Sequence, residues 1–332
     1  MGIAVRAARP IVAASLAVVL LVLAAGAASG DASRRFVLIV SGADGGAESA
    51  ANHVRWREAL VHSLVDRMRV PREHITVLHD AADAATRSLA TREHVRDALE
   101  GLASAVGARD VVLVVLLGHG TFDGVDAKFN LVGPDLEAGE WRALLEPIRG
   151  TVVVVNTTGA SFPFLQRLTG PRRVVVTATS SAAQRFDTVF GEFFSQAFGD
   201  DASDLDKNGR ISIGEAFTFA ATRATRWYEQ RGTLATERAA LDDNGDGVGQ
   251  PAGELGPDGA VASRLFLDPD PDESRSTDPA VSELVARRDA IERQIDEVRR
   301  KKGFMPPADY ERELERLLIE LARLSQRLRN RG

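Results

Sequence analysis

Val111-Val112-Leu113-Val114-Val115-Leu116-Leu117 runs straight into Gly118-His119-Gly120. Further on, Val152-Val153-Val154-Val155 ends in Asn156-Thr157-Thr158-Gly159-Ala160-Ser161. β-Branched and Leu runs of this length, closed by glycine and small polar residues, read as strands buried on both faces of a parallel sheet. In open α/β sheets, ligands and chemistry sit just beyond the carboxyl ends of such strands. The pattern therefore sets His119 and Thr158 side by side at that edge. The glycines around His119 let the backbone turn sharply and let a ligand approach.

The flanking sequence supplies the rest of an α/β sheet. Phe36-Val37-Leu38-Ile39-Val40 is a first core strand, ending in the Gly-rich loop Ser41-Gly42-Ala43-Asp44-Gly45-Gly46. That loop has neither the dinucleotide fingerprint nor the Walker spacing, so it reads as a tight turn. Val54, Leu60, Leu64, Val65 and Met68 fall at helical spacing up to Pro71, and a short strand follows over 75–78. Thr91 caps a helix whose apolar side is Val95, Leu99, Leu102 and Val106. The order βαβαβ argues for a mostly parallel sheet with helices on both faces. Past His119, residues 121–136 read as a hairpin-like excursion and 140–148 as a short helix. A strand at 173–180, a helix at 189–198 and a last strand at 261–267 complete the expectation. The five other histidines, His53, His62, His74, His79 and His94, show no metal-ligand spacing and read as surface or packing residues.

A buried strand ending in Gly-His-Gly, followed by a second strand ending in a short polar elbow, resembles the caspase–legumain class of cysteine peptidases. The resemblance covers residues 35–267 and implies a caspase-like three-layer sandwich. It also implies that His119 is the general base and that the nucleophile position falls on Thr158, with Asn156 where an acidic residue is common. Gly118, Gly120, Ser161, Thr179 and Ser180 would line the substrate groove. The chain departs from the class at the decisive point: it contains no Cys at all. A hydroxyl has a far higher pKa than a thiol and needs a well-oriented base, usually held by a third group. The sequence offers no obvious orienting carboxylate, although Asp123 and Asp126 lie near. The expectation is a peptidase homologue without activity that binds a peptide or protein; the alternative is a hydrolase using His119 with Thr158 or Ser161.

Asp204-Leu205-Asp206-Lys207-Asn208-Gly209-Arg210-Ile211-Ser212-Ile213-Gly214-Glu215 fits the twelve-residue EF-hand calcium loop at each key place. Asp204, Asp206 and Asn208 take positions one, three and five, and Gly209 is the turn glycine. Arg210 offers its carbonyl, Ser212 fills the ninth place and Glu215 is the twelfth ligand. Carboxylates so close repel one another without a cation. A second acidic loop begins at Asp242, with Asn244 and Asp246 at positions three and five. Its twelfth place is Gly253 rather than Glu, with Glu254 one residue late. It reads either as a further calcium loop or as a metal-free turn.

Residues 268–279 (DPDPDESRSTDP) read as a linker. Over 280–330, Val281, Leu284, Ile291, Ile295 and Val298, then Tyr310, Leu314, Leu317, Leu321, Leu324 and Leu328, repeat at coiled-coil spacing on either side of a Gly303–Pro307 break. An α-helical hairpin is expected, serving self-association or a partner helix, or else packing back on the domain.

At the other end, Arg6 and Arg9, an apolar run over 11–25 and Ala25-Gly26-Ala27 read as a secretory signal peptide over 1–28. An uncleaved anchor is the alternative, for which the apolar stretch is short. The expected location is periplasmic or secreted, with no membrane attachment after cleavage. The net charge is −6, with few aromatics and no basic stripe in the folded region, which argues against nucleic-acid binding.

Overall fold

The computed structural model describes residues 33–43, 45–80, 88–254, 256–269 and 305–329, together with scattered helical residues between 283 and 298. The expected signal peptide and most of the linker lie outside the described residues. The chain order is β1 (Arg35–Ser41), α1 (Ala47–Asp66), β2 (Ile75–Leu78), α2 (Arg92–Ala105), β3 (Val111–Leu117), β4 (Gly120–Phe122), β5 (Ala127–Phe129), β6 (Leu136–Glu137), α3 (Ala138–Leu145) and β7 (Thr151–Asn156). Then follow α4 (Phe162–Leu168), β8 (Arg173–Thr177), α5 (Phe190–Ala197), α6 (Ile213–Arg231), β9 (Ala240–Asp242), β10 (Gln250–Pro251) and a C-terminal helix, Pro307–Arg329.

Seven strands form the main sheet in the order β10-β9-β8-β7-β3-β1-β2. Contacts from β2 through β8 are parallel; β9 and β10 are antiparallel. Side chains alternate across a strand, and here both faces are covered. Val112, Val114 and Leu116 pack with Leu38, Val154, Leu99, Trp141 and Phe164 on the face of α2, α3 and α4. Leu113, Val115 and Leu117 pack with Ile39, Val155, Leu60, Phe194 and Phe217 under α1, α5 and α6. Two buried faces explain the unbroken apolar runs. At roughly 1.5–3 kcal/mol for each large side chain buried, these faces outweigh the exposed ion pairs, each worth about 0–1 kcal/mol.

Local signals place the helices. The Thr91 hydroxyl accepts the His94 N–H at 3.3 Å and caps α2. Glu137 and Glu140 form a capping box at α3, and Ser212 and Glu215 form another at α6, which ends on the left-handed Gly232. The excursion after His119 is a three-stranded antiparallel sheet, β4-β5-β6.

One element differs from expectation. Residues 261–267 form no closing strand; they contain a short 3-10 turn, Ala262–Arg264, and a single bridge from Phe266 to Ser212. The Asp243 carboxylate accepts the N–H groups of Gly259, Val261 and Ala262. A side chain that takes these donors removes them from any ladder. The sheet edge is built by β9 and β10 instead.

In the C-terminal part, Leu317 and Leu324 bury against Ile291, Ile295 and Val298. Arg287 meets Glu320 at 2.8 Å. No helix among the described residues is long and apolar enough to cross a membrane.

Candidate functional site

The connection from β1 runs to β2 on one side, while β3 lies on the other. Strand order reverses there, and the loops after β1 and β3 pack together, the Gly42 N–H donating to Leu117 O at 2.8 Å and the Ala43 N–H to Asn130 O at 3.0 Å. His119 stands there, directly after β3. Its Nδ1 lies 3.1 Å from Oδ1 of Asp187, on the loop between β8 and α5. Its Nε2 is buried without a hydrogen-bond partner and faces Gly45. His53, from α1, packs edge-on against His119 with ring centroids 5.6 Å apart. Burial first, then the neighbouring His119, holds His53 down at about 4. It is therefore neutral at pH 7. Gly118 has a φ of 146°.

Thr158 arrives from β7, beside β3. A Cβ on Gly120 would lie 2.6 Å from the Thr158 hydroxyl, so only glycine lets the two strand ends close up. The Thr158 hydroxyl donates to Asn156 Oδ1 at 2.8 Å, with Gly159 O at 2.9 Å as an alternative acceptor. The Thr158 N–H also donates to Asn156 Oδ1, at 3.0 Å. Thr158 is 1% exposed. Among the described residues no hydrogen bond joins Thr158 to His119; each has another partner.

Ser161 is also fully buried. Its oxygen accepts the Thr179 N–H at 3.1 Å and lies 3.0 Å from the Thr179 hydroxyl, which in turn accepts the Phe162 N–H at 2.9 Å. These two side chains tie the start of α4 to the end of β8. The Ser180 N–H donates to Gln184 Oε1 at 2.9 Å, holding the loop that carries Asp187.

The acidic loop between α5 and α6 brings three of its carboxylates together. Oxygen atoms of Asp204, Asp206 and Glu215 lie within 4.8 Å of one another. No other group of three acid or imidazole side chains converges so closely among the described residues. The Asp204 carboxylate accepts the N–H groups of Asn208 and Gly209, and Glu215 Oε1 accepts those of Leu205 and Asp206. Partial burial, then the Glu215 and Asp204 carboxylates, push the Asp206 carboxyl above its ordinary value. Arg210 turns its side chain to Asp268 at 2.7 Å and lies over the Phe266 ring. This oxygen-rich donor set suits a hard divalent cation such as calcium.

The loop from Asp242 repeats the backbone hydrogen-bond pattern of the first, but its carboxylates converge less closely. Asp242 accepts the N–H groups of Gly245 and Gly247, and the Asn244 side chain accepts from Asp246 N–H. The place of Glu215 is taken by Asp258, whose Oδ1 accepts the N–H groups of Asp243 and Asn244. Its Oδ2 is buried without a partner. Burial, then Asp242 and Asp243, raise the Asp258 carboxyl to about 6. Neither Gly253 nor Glu254 takes that role.

Sequence reasoning missed Asp187, Asp258 and the packing of His53 on His119. Asp187 carried one usable signal, its place in a loop after a core strand. Asp258 carried none, since it lies sixteen residues after Asp242.

Comparison with known proteins found no matching family model and no match among curated proteins. Among solved structures, the chain is similar to protein GSU0716 from Geobacter sulfurreducens, with 15% identity over 71% of this chain and 99% of that one at a TM-score of 0.44. It is also similar to the Drosophila initiator caspase Dronc, with 13% identity over 67% of this chain and 84% of that one at 0.43. A third structure, drICE, is 13% identical over 59% of this chain and 85% of that one, at 0.34.

Proposed function

We propose that this chain is an exported, catalytically silent relative of the caspase–legumain class that binds calcium and holds a peptide or protein at the carboxyl edge of its sheet. One observation carries the reading. The Thr158 hydroxyl, at the nucleophile position, is 1% exposed and donates to Asn156 or Gly159. A serine- or threonine-type nucleophile works only when its proton is directed to a base, and here it is directed elsewhere. Ser161 is committed to Thr179 in the same way.

Calcium would be held by Asp204, Asp206, Asn208, Ser212, Glu215 and the Arg210 carbonyl, and in the second loop by Asp242, Asn244, Asp246 and Asp258. The cation would neutralise carboxylates that otherwise repel and lock the start of α6, since Glu215 also closes that helix's capping box. Export rests on residues 1–28. The helical hairpin is assigned to self-association or a partner helix, with Leu318 and Ile319 exposed on the C-terminal helix. Sedimentation of a Leu318→Glu, Ile319→Glu variant tests that role: an unchanged oligomeric state argues against it.

A second reading, a hydrolase using His119 with Thr158 or Ser161, draws on the Asp187–His119 contact, which supplies the orienting carboxylate such a base needs. Peptide-library cleavage by the mature chain, with and without calcium, separates the two. Absence of turnover supports the silent reading. Turnover lost in both His119→Ala and Thr158→Ala overturns it.

A further inference from the structure

We infer that residues 181–188, between β8 and α5, form a lid that closes over the Thr157–Ser161 elbow and must lift before that edge can be reached. The Ala160 N–H donates to Gln184 O at 2.8 Å. The Thr188 hydroxyl donates to Thr157 O. Asp187 reaches His119 on the opposite strand end at 3.1 Å. The Arg185 guanidinium lies 5.7 Å from the Phe122 ring centre. The backbone passes so near that a Cβ on Gly159 would lie 2.4 Å from Phe186 O; only glycine allows this approach.

The two sides of the contact differ in burial. Thr157, Thr158, Ala160 and Ser161 are all at most 2% exposed. The lid itself is open to solvent: Phe186 is 67% exposed, as is 82% of the Asp187 side chain. No large apolar side chain of the lid is buried beneath it. A segment held by a few polar contacts and by no apolar anchor opens at far lower free energy than the strands it covers. The two ends are better fixed: the Thr179 N–H is bonded to the buried Ser161 hydroxyl oxygen, and the Val189 and Phe190 N–H groups to buried Glu237. Opening would therefore be a local swing between those anchors. This inference rests on the lid contacts and not on the proposed binding role.

Native-state hydrogen exchange on the full chain tests it. Asp187→Ala and Thr188→Val each remove a link from the lid side and leave the two cores untouched. The expected result is an Ala160 amide that exchanges about tenfold faster in either variant, with the Val154 amide of β7 unchanged. Trypsin should cut after Arg185 faster in step. An Ala160 amide that exchanges at the wild-type rate in both variants, or one that accelerates only together with Val154, overturns the lid.

Discussion

Asp258 Oδ1 accepts the backbone N–H of Asn244 at 3.2 Å, across fourteen residues of chain. Glu215 Oε1 accepts the N–H of Asp206 at 3.2 Å in the same way. In each loop a carboxylate from outside the first eight residues folds back onto the third position. One loop closes with the residue its spacing calls for. The other closes with a residue delivered by a detour of the chain.

That parallel predicts two calcium sites with separate closing ligands. Calorimetric titration of the full chain should count two ions. Glu215→Gln should weaken one site and Asp258→Asn the other, each by about tenfold or more, because affinity follows the number of charged ligands. Loss of both sites in Asp258→Asn, or of neither, would contradict the assignment.

The second site should be sensitive to acid. Asp258 titrates near 6 in the folded chain, above the ordinary 3.8. A ligand must be deprotonated to bind a cation. Calcium at this loop should therefore weaken as pH falls through 6. In the metal-free protein the sign is opposite: the folded state holds this proton more tightly, so the group's stabilising share grows as pH falls from 6 towards 4. Calcium-induced shifts in Tm, measured at pH 7 and pH 5 for wild type and Asp258→Asn, will show both effects.

Glu237 offers an independent titration away from the two acidic loops. Its carboxylate accepts the Val189 and Phe190 N–H groups at the start of α5, and the Tyr228 hydroxyl donates to it. Burial nonetheless pushes its carboxyl up to about 7 from 4.5. A raised carboxyl favours the folded state when protonated. Its stability is fully present below 4.5 and is lost as pH rises through 7, by roughly 3 kcal/mol. His53 pulls the other way, since its depressed value costs stability as pH falls from 6.5 towards 4. The difference between wild type and Glu237→Gln in urea unfolding, taken at pH 5 and pH 8, isolates Glu237. A difference that does not change with pH would refute the prediction.

On the proposed reading, Thr158→Cys places a thiol at the nucleophile position. Thr158 is 1% exposed, so alkylation by iodoacetamide should run at least about tenfold slower than that of a free thiol at the same pH, being limited by local opening. Immediate stoichiometric labelling would show that the elbow is open in solution.

The strands were legible because their burial is two-sided. A run such as 111–117 has no polar position to leave in doubt, and β1, β3, β7 and β8 lie where their apolar stretches predict. The 204–215 loop was legible because its converging carboxylates lie within one turn and one helix cap, where spacing is geometry. The edge strands were not. Residues 261–267 looked like a strand by composition, yet Asp243 captures their N–H groups from far along the chain.

The amino-acid sequence by itself determined the parallel core, the position of His119 and Thr158 at its carboxyl edge, the first acidic loop and the absence of any thiol. These depend on periodicity, local spacing and composition, which act over a few residues. Only the tertiary structure decided that Asp187 meets His119, that Thr158 gives its proton to Asn156 or Gly159, and that Asp258 closes the second loop. Each of these is a contact of about 3 Å. Contacts at that range are set by how the loops leaving different strands and turns are brought together, and no one-dimensional pattern records it.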